Sequence, residues 1–493
     1  CWRGILNWEL CDTEKLFHFY YFTKEGFLMN HTITQEQRYE MLTSQPVEKV
    51  IPRLAVPTII SMLISSIYNT ADTFFVSQLG TSASGAVGII FSAMAIIQAI
   101  AFMIGMGSGN YMARCFGAGE QEKGEKIAST GFFTGLIVGT AIMVIGLSNI
   151  EQIVMMLGST ETIKPYAVAY ARYIFLAAPF MMCSFIMNNL LRLQGLAAYA
   201  MLGIASGGIL NIFLDPIFIF GLDLGTAGAA IATGLSQFTS FCILLCQCNL
   251  RKSCVSIRFC NFAPSFSMYR SIIVGGLPSL GRQGMASLAT IILNLTARPY
   301  GDAAIAAMAI VSRCAMLLNS AVVGFGQGFQ PVCAFSFGAH KYSRVKNAFW
   351  FCVKVSTIFL LCVSVIIFLF SGHVIELFRK GDPEVIAIGT LALRLQICTL
   401  PLGGYLTLSN MCSQSIGYGF RSTLLAMSRQ GFFLIPLLLI ASSLFGLLGI
   451  QMAQPISDLC TFLLTIFIMR GIFKELNALE QQETSGLSKG ASF

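Results

Sequence analysis

The chain has little charge. Only 11% of its 493 residues are Asp, Glu, Lys or Arg, and 55% are hydrophobic; a water-soluble domain carries about 25% charge. Histidine is nearly missing, and His18, His31, His340 and His373 are too dispersed to assemble a metal site. The 16 cysteines never take the CxxC spacing of a zinc centre, and Cys246 and Cys248 stand too close for one. Scattered through apolar stretches, they read as small buried hydrophobes. No GxxxxGK[ST] loop is present, so ATP does not power the chain directly. HExxH is absent too. No Lys/Arg run interleaved with aromatics occurs, and the net charge of +8 sits in short loops, which speaks against nucleic acid. No signal-peptide pattern of basic, apolar and small-residue regions opens the chain. It starts at Cys1, and Met29 or Met41 is read as the natural start.

What remains is apolar and rich in Phe (40), Met (22) and Gly (46). Stretches of about 20 apolar residues recur, long enough to cross a ~30 Å hydrocarbon core as helices, and the small residues suit close helix contact in lipid. Twelve spans are expected, at roughly 52–79, 86–112, 127–148, 166–190, 200–220 and 226–248, then 270–296, 303–333, 347–370, 386–412, 422–445 and 447–469. The fold class is all-α and polytopic, with two six-helix lobes. The divisions are an N-terminal extension 1–45 (cytoplasmic or disordered), a first lobe 46–248, a linker 249–269, a second lobe 270–470 and a tail 471–493. With both termini cytoplasmic, the inner loops hold roughly fourteen Lys and Arg. The outer loops hold four, Lys164, Arg298, Arg379 and Lys380, a positive-inside bias.

The two lobes are copies. Pro57, Gly80, Gly105, Gly107, Phe116, Gly117 and Ala118 return 221 positions later as Pro278, Gly301, Gly326, Gly328, Phe337, Gly338 and Ala339. With a slip of one residue either way, Pro179 and Gly195 meet Pro401 and Gly417, and Pro216 meets Pro436. Secondary transporters are often built from such repeats, with the substrate site between them.

Acids inside the spans are few. Asp72 lies in span 1 and Asp215 in span 5. A mid-membrane Asp costs about 2.5–3.5 kcal/mol even on the lenient insertion scale, so two in one lobe point to function. Counting along the spans puts Asp72, Asp215 and Thr233 of span 6 in one layer, near 10 Å below the outer surface at about 1.5 Å per residue. Asn211 and Asp215 are four apart and share a helix face; Asn69 precedes Asp72 by three. Pro216 has no amide proton and leaves the Ile212 carbonyl without its helical donor. Asp72, Asn211, Asp215 and Thr233, with Asn69, therefore form a candidate nest for Na⁺ or a shared proton; the other reading is that they only tie helices together. The second-lobe spans instead contain Arg282, Arg313, Lys354, Arg394 and Arg429, with Asp458 in the last span. Arg282 and Arg313 are expected to pair with Asp458 or to line the substrate cavity. Tyr68, Phe75, Met182 and Met285 are further candidate liners, with packing as the alternative for each.

At these residues the chain resembles the multidrug and toxic compound extrusion (MATE) family. The resemblance rests on Leu54-Ala55-Val56-Pro57 leading to Asn69-Thr70-Ala71-Asp72-Thr73, and on Gly117-Ala118-Gly119 and Gly338-Ala339-His340. Leu193-Gln194-Gly195 and Asn211-Ile212-Phe213-Leu214-Asp215-Pro216 complete it. It spans roughly residues 46–472 and is nearest the DinF/MepA-like bacterial branch. It implies a V-shaped cavity between the lobes and a cation site at Asp72, Asn211, Asp215 and Thr233. It also implies export of amphiphilic, cationic drugs or metabolites in exchange for Na⁺ or H⁺, with no cofactor beyond that ion. The expectation is a monomer in the bacterial cytoplasmic membrane that meets small organic substrates and lipids and binds no nucleic acid. Alternatives are a flippase of lipid-linked precursors and an intramembrane enzyme.

Overall fold

The computed structural model describes residues 34–250, 255–378 and 382–485. Residues 1–33, Arg251, Lys252, Arg379, Lys380 and the end of the tail lie outside the described residues. Among the described residues there is no strand. The first lobe consists of spans 1 to 6, at Val47–Ser77, Thr81–Gly117, Gln121–Ser148, Lys164–Leu193, Ala197–Pro216 and Gly225–Leu250. Span 5 runs on past Pro216 as a π-turn, Ile217–Gly221. Spans 7, 8 and 9 are Phe266–Ala297, Gly301–Gly338 and Tyr342–Leu369. Span 10 is a pair, Pro383–Thr399 and Leu402–Ser415, bent by 54° beside Pro401. Span 11 begins as Gly419–Met427, loosens into the π-helix Ser428–Phe433 and continues to the kink at Gly446 (φ 61°, ψ −137°), beyond which span 12 extends to Thr484.

By length and composition alone, nine helices qualify as crossings, or ten with the bent pair. Twelve is reached because Gly446 folds one long helix into two spans and because span 7 crosses despite Arg282, Gln283 and its serines. Several helices overrun their expected ends, since aqueous side chains sustain them past the hydrocarbon. Span 12 is the clearest case: Lys346 of span 9 binds both Asn477 and Glu480 at 2.6 Å. Gln35–Thr43, inside the stretch set aside as an extension, is a helix with a full capping box from Thr34 and Gln37.

The repeat is visible in how closely backbones approach. A Cβ on Gly107 of span 2 would stand 2.0 Å from the Ile272 carbonyl oxygen of span 7, and 3.0 Å from the Gly276 nitrogen. Its mate Gly328, on span 8, meets Ala55 of span 1 at 2.6 Å, and Ala55 is the mate of Gly276. Likewise Gly117 faces the Phe335 carbonyl at 2.3 Å and Gly338 faces that of Arg114 at 2.1 Å. Glycine is required because any side chain would enter the neighbouring backbone. Paired turns match as well: Gly80 and Gly301, and Gly195 and Gly417, all have positive φ. Where the first copy uses Gly119 (φ 79°), His340 adopts φ 60° in the second.

These contacts lie in the halves of spans 1, 2, 7 and 8 nearer the face that carries the basic loops, so the lobes meet there. Thr58 Oγ1 of span 1 donates to the Gly324 carbonyl at 2.7 Å, and Arg114 Nη1 to that of Ser415 at 2.9 Å. The capped helix Gln35–Thr43 lies across the same seam. Its Arg38 donates to Gln194 of the first lobe at 3.3 Å. Its Leu42 and Thr43 carbonyls accept from Arg344 (3.2 Å) and Lys341 (3.1 Å) of the second.

Gly107→Val or Gly328→Val is expected to lower the melting midpoint of detergent-purified protein by several degrees, because overpacking alone costs about 1–3 kcal/mol. Gly88→Ala, at a position whose Cβ meets nothing within 4 Å, should leave the midpoint unchanged.

Candidate functional site in the first lobe

Span 5 carries a small-residue stripe at four-residue spacing: Gly203, Gly207, Asn211, Asp215. One face of the helix therefore meets span 6. A Cβ at Gly203 would strike Leu244 at 2.3 Å, and one at Gly207 would strike Ser240 at 2.1 Å. This closeness brings the polar pair that follows onto span 6. Asn211 Nδ2 donates to Asp215 Oδ1 at 3.0 Å and lies 3.4 Å from Thr233 Oγ1. Asp215 is 0%, Asn211 2% and Thr233 6% exposed. Span 1 packs on this face of span 5 at Tyr68, which a Cβ at Gly208 would meet at 3.0 Å, and carries Asp72 one turn further on, within Coulombic reach of Asp215.

Three acceptor oxygens are left over. Asp72 Oδ1, Asn211 Oδ1 and Asp215 Oδ2 are all buried without a hydrogen-bond partner. An unpaired buried acceptor is costly, and these three stand on two spans packed against each other at Gly208 and Tyr68. The proline supports the geometry: span 5 is helical through Pro216 and then widens into its π-turn, a feature common at functional sites.

Asn69, also expected here, donates to the Ser65 carbonyl of its own helix at 2.8 Å and interacts with Tyr68. Reading the sequence missed Tyr170. It is 1% exposed on span 4, its hydroxyl feels the charges of Asp72 and Asp215, and it reaches Thr233. Counting would have found it, since it lies six residues into a span that starts at Lys164 and so falls in the same layer.

The comparisons with known proteins follow this geometry. The MatE family model matches residues 57–217 and 278–457, one segment in each lobe. The chain belongs to the MatE family. The multidrug export protein MepA of Staphylococcus haemolyticus is 28% identical over 430 residues, 87% of this chain and 94% of that protein. A crystal structure of MATE in complex with MaL6 superposes with a TM-score of 0.84 at 28% identity, covering 90% of this chain and 99% of that one. A Pyrococcus furiosus transporter of the MOP superfamily, described as having a binding pocket of reverse polarity that suggests a different function, gives 0.82 at 29% identity, with 90% and 98% covered. As a member of this multidrug-efflux family, the chain is a multi-pass membrane transporter and not an enzyme.

The second lobe of this MatE protein corrects the expected pairing of Asp458. Asp458 pairs with neither Arg282 nor Arg313. Its partner is Arg429, which donates through Nε at 2.8 Å and Nη2 at 3.1 Å; Gln454 (2.8 Å) and Thr399 (3.4 Å) complete the shell. The π-helix Ser428–Phe433 sets Arg429 against span 12, which depth counting could not show. Arg313 is exposed and Arg282 half-buried. Met182, a candidate cavity liner with packing as the alternative, is fully buried in a core that runs through both lobes, and Met285 packs its sulfur against Gly431. Phe75 is half-buried against the same core, while Tyr68 lines a small cavity beside Asn211.

Tyr170→Phe removes one hydroxyl and keeps the packing. About a three- to tenfold loss of ion affinity is expected, the size of one hydrogen bond, measured as the ion concentration giving half-maximal efflux.

Proposed function

We propose that the chain is an antiporter that exports amphiphilic, cationic organic compounds in exchange for Na⁺ or H⁺ taken at Asp72, Asn211, Asp215 and Thr233. The observation that carries this reading is the set of three buried oxygens without partners on spans 1 and 5, Asp72 Oδ1, Asn211 Oδ1 and Asp215 Oδ2. A cation bound between the two spans supplies the partners they lack. Neutralising the carboxylates removes their repulsion and lets span 1 repack against spans 5 and 6, with Pro57 and Pro216 inside those helices as bend points. Each cation moving inward down 100 mV supplies about 2.3 kcal/mol. The basic face, where the lobes meet, is cytoplasmic on this reading, in a bacterial cytoplasmic membrane. Substrate then leaves from between the outer halves of spans 1, 2, 7 and 8. The protein works as a monomer among lipids, without a cofactor.

A second reading, translocation of an anionic lipid-linked precursor, is favoured by one feature. Arg192 is buried, two of its guanidinium nitrogens have no hydrogen-bond partner, and Arg282 lies near enough for the two charges to interact.

In proteoliposomes, Asp72→Asn and Asp215→Asn should each abolish efflux of a cationic dye driven by a Na⁺ or proton gradient, with expression intact. Wild-type rates in both variants would sink the site. Translocation of a fluorescent anionic lipid without gradient-driven dye efflux would favour the second reading.

A further inference from the structure

The two lobes treat one equivalent spot in opposite ways. Structure fixes the register on either side of it. Asn188 Nδ2 donates to the Ala200 carbonyl at 2.9 Å and Asn410 Nδ2 to that of Ser422 at 2.7 Å, an offset of 222 (188 + 222 = 410). Gly225 and Gly446 both have positive φ, 55° and 61°, an offset of 221 (225 + 221 = 446). Arg429 then falls on Gly207, Asp458 on Gln237, Ser457 on Ser236 and Thr461 on Ser240. Contacts agree with this register. Ser457 Oγ donates to the Arg429 carbonyl at 2.6 Å, and the Ser236 carbonyl lies 2.8 Å from where a Gly207 Cβ would stand.

In the second lobe the spot is filled by the guanidinium of Arg429, bound to Asp458. In the first lobe neither counterpart is charged, and a cavity of about 20 Å³ lies between spans 1, 4, 5 and 6. That is room for one water-sized species. Tyr68, Asn211, Thr233, Ser236, Gln237 and Ser240 are among its walls. Ser236 is 3% exposed and its hydroxyl has no partner; Asn211 Oδ1 has none either. Asn211 and Thr233 belong to both the cavity and the carboxylate cluster, so one begins where the other ends.

We propose that this cavity is a second cation station, one helical turn from Asp72 and Asp215 toward the basic face. It receives Na⁺ or hydronium where the second lobe keeps the tethered guanidinium of Arg429. The inference rests on the carboxylate site proposed above. The station offers only neutral oxygens and so holds a cation more weakly than the carboxylates do. Weak neighbouring sites let an ion leave a strong one.

The test uses the full chain, with Ser236→Ala, Ser236→Ala/Gln237→Leu and Asp72→Asn. Ser236→Ala removes no internal hydrogen bond, which guards the fold. ²²Na⁺ or proton binding is measured on detergent-purified protein, and ²²Na⁺ or pyranine-reported proton exchange in proteoliposomes. The double variant should bind within about twofold of wild type yet exchange at least tenfold more slowly, roughly the effect of removing one partner of a buried charge. Ser236→Ala should show the same split to a smaller degree. Asp72→Asn should lose both binding and exchange. Wild-type exchange in the double variant, with Asp72→Asn inactive, overturns the station and leaves the carboxylate site standing. Loss of binding together with exchange in the double variant also overturns it, by merging the two sites into one. Wild-type exchange in Asp72→Asn removes the carboxylate reading and the station with it.

Discussion

A carboxylate packed among helices in hydrocarbon is held there only if something offsets its charge, because desolvation of an unpaired ion is expensive. The second lobe meets this condition from within: Arg429 grips Asp458 in bidentate fashion, and Gln454 and Thr399 satisfy its remaining lone pairs. The first lobe does not. Its two carboxylates are brought within range of each other, and the groups around them are an amide, a hydroxyl and two tyrosines, none of which carries a positive charge. The buried acid of the second lobe is therefore matched by a charge from its own lobe, and the two acids of the first are not.

The same lobes are held together by contacts that tolerate little compromise. Four glycines, Gly107, Gly117, Gly328 and Gly338, let backbone meet backbone across the interface, and each approach has its twin across the repeat. Such contacts are short-range: they are fully made or fully lost, so the interface behaves as a switch between discrete packings rather than as a spring. The helix Gln35–Thr43 adds hydrogen bonds from both lobes on that face.

Much of the architecture was legible beforehand. The 221-residue offset identified the lobes, and the same offset relates the close approaches of Gly107 and Gly328. Spans could be counted because crossing hydrocarbon requires length and apolarity. Their ends could not, since helix continues wherever polar neighbours such as Asn477 and Glu480 support it. The meeting of Asn211, Asp215 and Thr233 followed from helix periodicity and depth. The partner of Asp458 did not, because three arginines had comparable claims and a π-helix, invisible in composition, decided among them. For Met182 the sequence left packing and cavity lining open, because a methionine in a membrane helix looks alike whether it faces a cavity or a core.

By itself the sequence determined the spans, the duplication and the layer at which the first lobe carries its acids, since these depend on spacing along single helices. Only the tertiary structure decided which oxygens are left without donors, that Tyr170 joins them, and that a cavity beside Gly207 stands where the other lobe places a guanidinium. Those facts depend on rotation and contact between helices distant in the chain, and neither is set by the residues of any one span.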